Sequence, residues 1–399
     1  MNISRQVQQL YQELPYPPVR KSKPFRPKWR LAPMEWIDAV WQPAYPPRRI
    51  LVAGCGTGNE AFALRHRFPA AEIVAADFSN RSIALARKLQ RQFSSAKAVR
   101  FVQIDISSKQ FGEVVGRNFD FVSCHGVLSY VARPKRVVRN LATCIAPGGA
   151  LYLGVNGAGH FSEKWRHALT GFGFDPNKLE DGPRLRRILK LCDALSGHHV
   201  GWIANQTAEY LAGDLFGPLI RNLPLAHWTT LCRECGLHFL GSYSAQKALA
   251  PVFNNDLYEL LIPRSRAEVH GLVDQIAPPL FHCLIFAHRS SFDPPWHNAG
   301  VLQRCLVSST KVSAPAWPRR RGSWKTLRRV AFKSVPTNTF MELRIPEWAL
   351  EVLRHSGSQL DIGQILREAL PEITPASLRK HLYLLYLLAL INLRQANAP

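Results

Sequence analysis

Along residues 49–155 short apolar runs alternate with longer amphipathic stretches. The runs at 50–53, 72–76, 99–104, 119–124 and 150–155 read as strands. The stretches at 60–68, from Arg81 onward and at 135–145 read as helices between them. Apolar strands separated by helices predict a parallel sheet covered on both faces. Two later runs, 237–243 and 281–289, supply two more strands, with helices at 227–236 and 256–276. The expected fold class is therefore α/β, with a seven-stranded mostly parallel sheet.

The pattern breaks on either side of this core. Residues 1–48 form a Pro-rich arm with a helix at 4–13, the extended Leu14-Pro15-Tyr16-Pro17-Pro18 and a second helix at 33–41. The arm either wraps over the ligand pocket of the next domain or serves as plain packing. Residues 49–290 form the α/β domain, and the polar, helical stretch 161–223 reads as an insertion or cap. Residues 291–339 read as a basic linker carrying Arg319, Arg320, Arg321, Lys325, Arg328 and Arg329, a set that suits phosphate contact or a solvated segment. Residues 340–399 read as a small helical or winged-helix-like domain with helices at 347–353, 362–370 and 378–390. The third of these is too apolar for a DNA-recognition helix, so a packing or regulatory role is expected.

Chemistry concentrates where the strands end. After 50–53 come Gly54-Cys55-Gly56-Thr57-Gly58, three glycines at alternate positions leading into a helix. Glycines permit a tight turn and let a ligand approach where a Cβ would block it. Asp77, at the tip of the second strand, is placed to accept from ribose hydroxyls or to cap the next helix, with Ser79 or Asn80 as the cap residue. Asp105 and Ile106 follow the third strand and suit an adenine ring, the acid for the exocyclic amine and the aliphatic chain for the ring face. Cys124 and His125 follow the fourth strand, on the edge where open α/β sheets bind ligands.

The net charge of +23 suits an acidic partner such as nucleic acid, or a solvated basic surface. Eight cysteines are too scattered for a disulfide scaffold. Cys232 and Cys235 lack the second pair that a zinc site needs, so no metal is expected. The most hydrophobic run, 382–391, is about half of a membrane span. With no apolar leader among the first residues, a soluble cytoplasmic protein without membrane contact is expected.

Taken in order, Ala53-Gly54-Cys55-Gly56-Thr57-Gly58, Asp77, Asp105-Ile106, Phe119-Asp120 and Pro147-Gly148-Gly149 resemble class I S-adenosylmethionine-dependent methyltransferases, which have a Rossmann-like sheet. The match is good over about 50–155 and extends weakly to about 290. Tyr16-Pro17-Pro18 ahead of the domain and the region after it look like a bacterial branch in which some relatives carry a C-terminal regulatory-like domain and related multidomain members methylate protein lysines. The resemblance implies S-adenosyl-L-methionine as cofactor. Gly54, Gly56 and Gly58 would cradle its methionine part, Asp77 would hold the ribose and Asp105 with Ile106 the adenine. Cys124 and His125 would lie near the sulfonium, with Ala53, Cys55 and Phe78 also among the cofactor-binding residues. The family usually has an acid two residues before the first glycine; here that residue is Val52, and Glu60 or a backbone carbonyl would have to substitute. His125, Tyr130, Asn156 and His160 are candidates to line the acceptor site.

The implied activity is methyl transfer to a protein, RNA or small-molecule acceptor that the sequence does not identify. The alternative is a non-catalytic module with a degenerate methyltransferase fold that binds S-adenosylmethionine or partners. A dinucleotide dehydrogenase is disfavoured, because the chain has G-x-G-x-G in place of G-x-G-x-x-G.

Overall fold

The computed structural model describes residues 3–19, 31–41, 43, 45–92, 99–249, 260–262, 264–288, 294, 296–309, 323, 325, 327–334, 339–355, 358, 360–388 and 390–395. Seven strands form the main sheet: β1 (Arg49–Ala53), β2 (Glu72–Asp77), β3 (Arg100–Gln103), β4 (Phe119–His125), β5 (Ile145–Asn156), β6 (His238–Ser242) and β7 (Phe281–Ala287). Their order is β3-β2-β1-β4-β5-β7-β6. The pairs among β1 to β5 are parallel, whereas β6 and β7 pair antiparallel. This is the Rossmann-like α/β architecture that the alternating pattern predicts.

β1 is central. Val52 stands opposite Ala75 of β2 on one side and Ser123 of β4 on the other. Ile50, Leu51 and Val52 are at most 1% exposed. Burying each such side chain contributes about 1.5–3 kcal/mol. The strand order reverses across β1, since β2 and β4 flank it. Open sheets place their ligand crevice at such a point, beyond the carboxyl ends of the strands.

Helices Asn59–Arg67, Asn80–Gln90 and Pro134–Ala142 connect these strands. Ser79 caps the second of them, its hydroxyl accepting from the Ser82 N–H at 3.1 Å. The third stops before Thr143, and Pro147-Gly148-Gly149 lies inside β5, where the pairing with β4 shifts register. That motif is thus an irregularity in a strand. The insertion has helices Ser162–Gly171, Pro183–Leu195 and Ala208–Asp214 around a core of its own that includes Trp165, Leu189 and Leu211. Asp193, fully buried, holds the turn between the second and third of these helices by accepting from the N–H groups of Gly201, Ile203 and Ala204.

The chain divides into two compact units, one of residues 1–30, 45–237 and 278–283, the other of 31–44, 238–277 and 284–399. This differs from the expected boundaries, which put 238–277 with the sheet domain. Packing within the second unit explains the difference. Arg266, in helix Arg266–Ile276, donates to the Tyr386 carbonyl at 2.7 Å and lies over the Tyr386 ring at 4.1 Å. Val269 joins Trp296, Trp348 and Tyr383 in one apolar cluster.

The stretch expected as a linker also holds regular structure. β8 (Cys305–Ser309) pairs with β11 (Ile391–Gln395), and β9 (Leu327–Ser334) pairs with β10 (Thr339–Pro346). The partner of β8 lies at the far end of the chain, out of reach of local periodicity. The region from 340 is accordingly mixed α and β, with helices Glu347–Arg354, Ile362–Ile365 and Pro375–Leu387. Arg319, Arg320 and Arg321 lie outside the described residues. Among the described residues no helix is long and apolar enough to cross a membrane.

Candidate functional site

The loop after β1 is shaped by its glycines. Gly54 and Gly56 have φ of 76° and 52°. A Cβ on Gly56 would lie 2.1 Å from the Tyr16 carbonyl oxygen, and one on Gly54 2.3 Å from the Val127 side chain. Positive φ and close approach together leave no room for another residue at either position. Asp77, ending β2, locks the loop: one carboxylate oxygen accepts from the Gly56 N–H at 2.8 Å, the other from the Ser79 N–H at 2.9 Å. Burial pushes the Asp77 carboxyl up to about 6, against the opposing effect of these N–H groups.

A cavity of about 450 Å³ opens on this loop. Gly54, Cys55, Gly56, Asp77 and Phe78 line one end of it, with Asp105 and Ile106 beyond the end of β3. Ile106 is buried and Asp105 exposed, its carboxylate accepting from the Ser107 N–H at 2.7 Å. Three expected residues lie behind the wall. Ala53 and Cys124 are fully packed inside the sheet, and Gly58 faces Phe62, Phe101 and Ala86. They shape the loop from beneath and do not reach the cavity.

The other end is built from side chains. Tyr130 donates to the Asp214 carboxylate and its hydroxyl also lies 3.3 Å from the Asn156 side-chain oxygen. Asn156 donates to Asn222 at 3.3 Å, and Asn222 donates to the Ser162 hydroxyl at 2.8 Å. The Ser162 hydroxyl is 3.0 Å from His160 Nδ1. Tyr130, Asn156 and His160, separate in sequence, thus share one polar network. Burial, then the Asp214 charge, holds the Tyr130 phenol far above its ordinary value. Burial pulls His160 down to about 4. His125 is apart from the network: its ring stacks on Tyr152, with centroids 5.8 Å apart, and lies 5.0 Å from Phe281.

The N-terminal helix Ile3–Glu13 and the Tyr16-Pro17 turn complete the wall. The Tyr16 carbonyl accepts from the Thr57 N–H at 3.2 Å, and the Thr57 hydroxyl donates to the Pro17 carbonyl at 2.7 Å. Ser79 donates to the Tyr11 carbonyl at 3.1 Å. Of the two roles expected for the arm, its part from 3 to 19 takes the one over the pocket.

Residues 51–151 match the family model of a methyltransferase domain. An uncharacterized Synechococcus protein is 32% identical over 38% of this chain and 37% of its own length. Trans-aconitate 2-methyltransferase of Acidovorax is 34% identical over 30% of this chain and 41% of its own. The matched segments thus span about two fifths of these relatives. The structure of PKMT2 from Rickettsia typhi in complex with AdoHcy superposes with a TM-score of 0.56, over 96% of this chain and 77% of that one, at 15% identity. At that identity the likeness is one of fold. The methyltransferase domain accounts for the glycine loop and the strand-end acids. Asp214, Tyr11 and Tyr16 were missed by sequence reasoning. The first stands in a polar insertion without a motif, and the Tyr-Pro-Pro turn was the only signal for the last.

Proposed function

We propose that this protein is a class I S-adenosylmethionine-dependent methyltransferase, of a branch with a Tyr-Pro-Pro segment before the domain and an accessory domain after it. The observation that carries the reading is the glycine loop tied to Asp77 in the wall of the cavity. The residues fit the cofactor. Gly54 and Gly56 leave backbone where a Cβ would intrude. Each Asp77 oxygen accepts one N–H and keeps a lone pair for a ribose hydroxyl. Asp105 and Ile106 stand at the end of β3 for adenine, and Cys55 and Phe78 complete the walls.

When bound, S-adenosylmethionine supplies a methyl group already activated on a sulfonium. The chain's own work is to hold and align the partners. Tyr130, kept protonated, orients the Asp214 carboxylate towards the cavity. His160, held down to about 4 by burial, is neutral near pH 7 and a weak base, so its part is that of a hydrogen-bonding partner in the network. His125, packed between aromatic rings, serves as wall. The acceptor, whether protein, RNA or small molecule, is not identified. An open cavity with a polar network supports an enzyme over a non-catalytic module, whose pocket would be blocked or apolar.

Calorimetric titration of the full chain with S-adenosylhomocysteine, beside NAD, tests the reading. Micromolar binding of the former alone is expected. Binding of NAD alone, or of neither, would overturn it.

A further inference from the structure

We propose that Glu60 is the cofactor-binding acid of this chain, receiving the α-ammonium at the methionine end of the ligand. The inference deepens the methyltransferase reading and rests on it. Glu60 follows the glycine loop directly, in the first turn of helix Asn59–Arg67, and its side chain lines the cavity. Its Oε1 is buried and has no hydrogen-bond partner among the described residues. The polar group that favours its charge is the nearby Ser123 hydroxyl, which only partly offsets burial. Ser123 stands directly across from Val52 in the sheet. The Glu60 carboxylate therefore reaches the sheet edge beside the apolar Val52 and brings the negative charge that Val52 lacks.

Its surroundings call for a cation. Burial drives the carboxyl up to about 7, and no cationic side chain among the described residues offsets this. Burial, then the Asp77 and Glu60 charges, pushes the Cys55 thiol up, and burial, then the Glu60 charge, the Cys124 thiol. An acid in a first helical turn ordinarily gains from the helix dipole at the surface. A buried acid with an orphaned oxygen gains little from that and is costly to ionise without a counter-charge. The ligand's ammonium is that counter-charge. Gly54 and Gly56, one turn away, leave the loop open to it.

The test uses two probes on the full chain by calorimetry. S-adenosylhomocysteine carries the ammonium but no sulfonium charge, while 5′-methylthioadenosine carries adenine and ribose without the amino-acid end. Glu60→Gln is expected to weaken S-adenosylhomocysteine by about tenfold or more and to leave methylthioadenosine within about twofold. In the unmodified protein near pH 7, titration in buffers of different ionisation heat should show proton release with S-adenosylhomocysteine and less with methylthioadenosine. Equal weakening of both probes, or unchanged S-adenosylhomocysteine affinity, would overturn the assignment while leaving the cofactor reading intact. So would proton release that is the same for both ligands. If the unmodified protein binds neither, the cofactor reading itself falls, and this one with it.

Discussion

The two ends of the cavity are made of different material. At the glycine loop the main chain itself comes to the surface at Gly54 and Gly56, held by Asp77 through two N–H groups. At the far end it is side chain: Tyr130, Asp214, Asn156, Asn222, Ser162 and His160 in one relay of hydrogen bonds. Main-chain geometry cannot be exchanged by substitution without rebuilding the turn, whereas a side-chain relay can be rewritten one residue at a time. The first end suits a ligand shared by many proteins with this domain, and the second suits whatever distinguishes this one.

The strongest way to break the contrast is at Asp77. Asp77→Ala removes the acceptor for the Gly56 and Ser79 N–H groups together with the acid proposed for the ribose. S-adenosylhomocysteine binding should fall by about a hundredfold or more by calorimetry. Unchanged affinity would mean that the loop end is not the cofactor end. Gly56→Ala comes next. Its methyl would meet the Tyr16 carbonyl in a backbone region that L-residues avoid, so a stability loss of about 1–3 kcal/mol in urea unfolding is expected.

The pH dependence sharpens the contrast. The folded-state carboxyls of Glu60 and Asp77 are raised, to about 7 from 4.5 and to about 6 from 3.8. Between roughly pH 4 and pH 7 the folded protein holds protons that the unfolded chain has released, so these two groups make stability fall as pH rises through that window. Glu60→Gln should flatten its share, on the order of 2 kcal/mol, in thermal unfolding of the unliganded protein at pH 5 and pH 7.5. The smallest effect belongs to the far end. Tyr130→Phe should cost about 1 kcal/mol of stability and leave S-adenosylhomocysteine affinity within about twofold. A tenfold loss there would show that the two ends are coupled.

The same contrast explains what could be read from the chain. The glycine loop, Asp77 and Asp105-Ile106 were legible because each sits at the end of a strand whose apolar run marks it. Ala53, Gly58 and Cys124 were assigned to the cofactor through the family resemblance, yet Ala53 and Cys124 are packed within the sheet and Gly58 faces Phe62, Phe101 and Ala86. The relay was legible only in part. Tyr130, Asn156 and His160 follow β4 and β5, but Asp214 enters from a helix of the insertion, and periodicity does not say where an insertion folds back. β8 and its pairing with the strand-like tail at β11 were missed for the same reason: strand pairing across most of a domain leaves no local trace.

The Tyr16 and Pro17 carbonyls hold Thr57 by its N–H and its hydroxyl. The stretch that carries the family likeness, 51–151, contains Thr57 but neither of those partners. A gene fragment trimmed to the likeness would keep every glycine and lose the roof above them. In deuterium exchange its Thr57 amide would trade with solvent as an unguarded loop does, while in the whole chain it would wait for the N-terminal turn to lift.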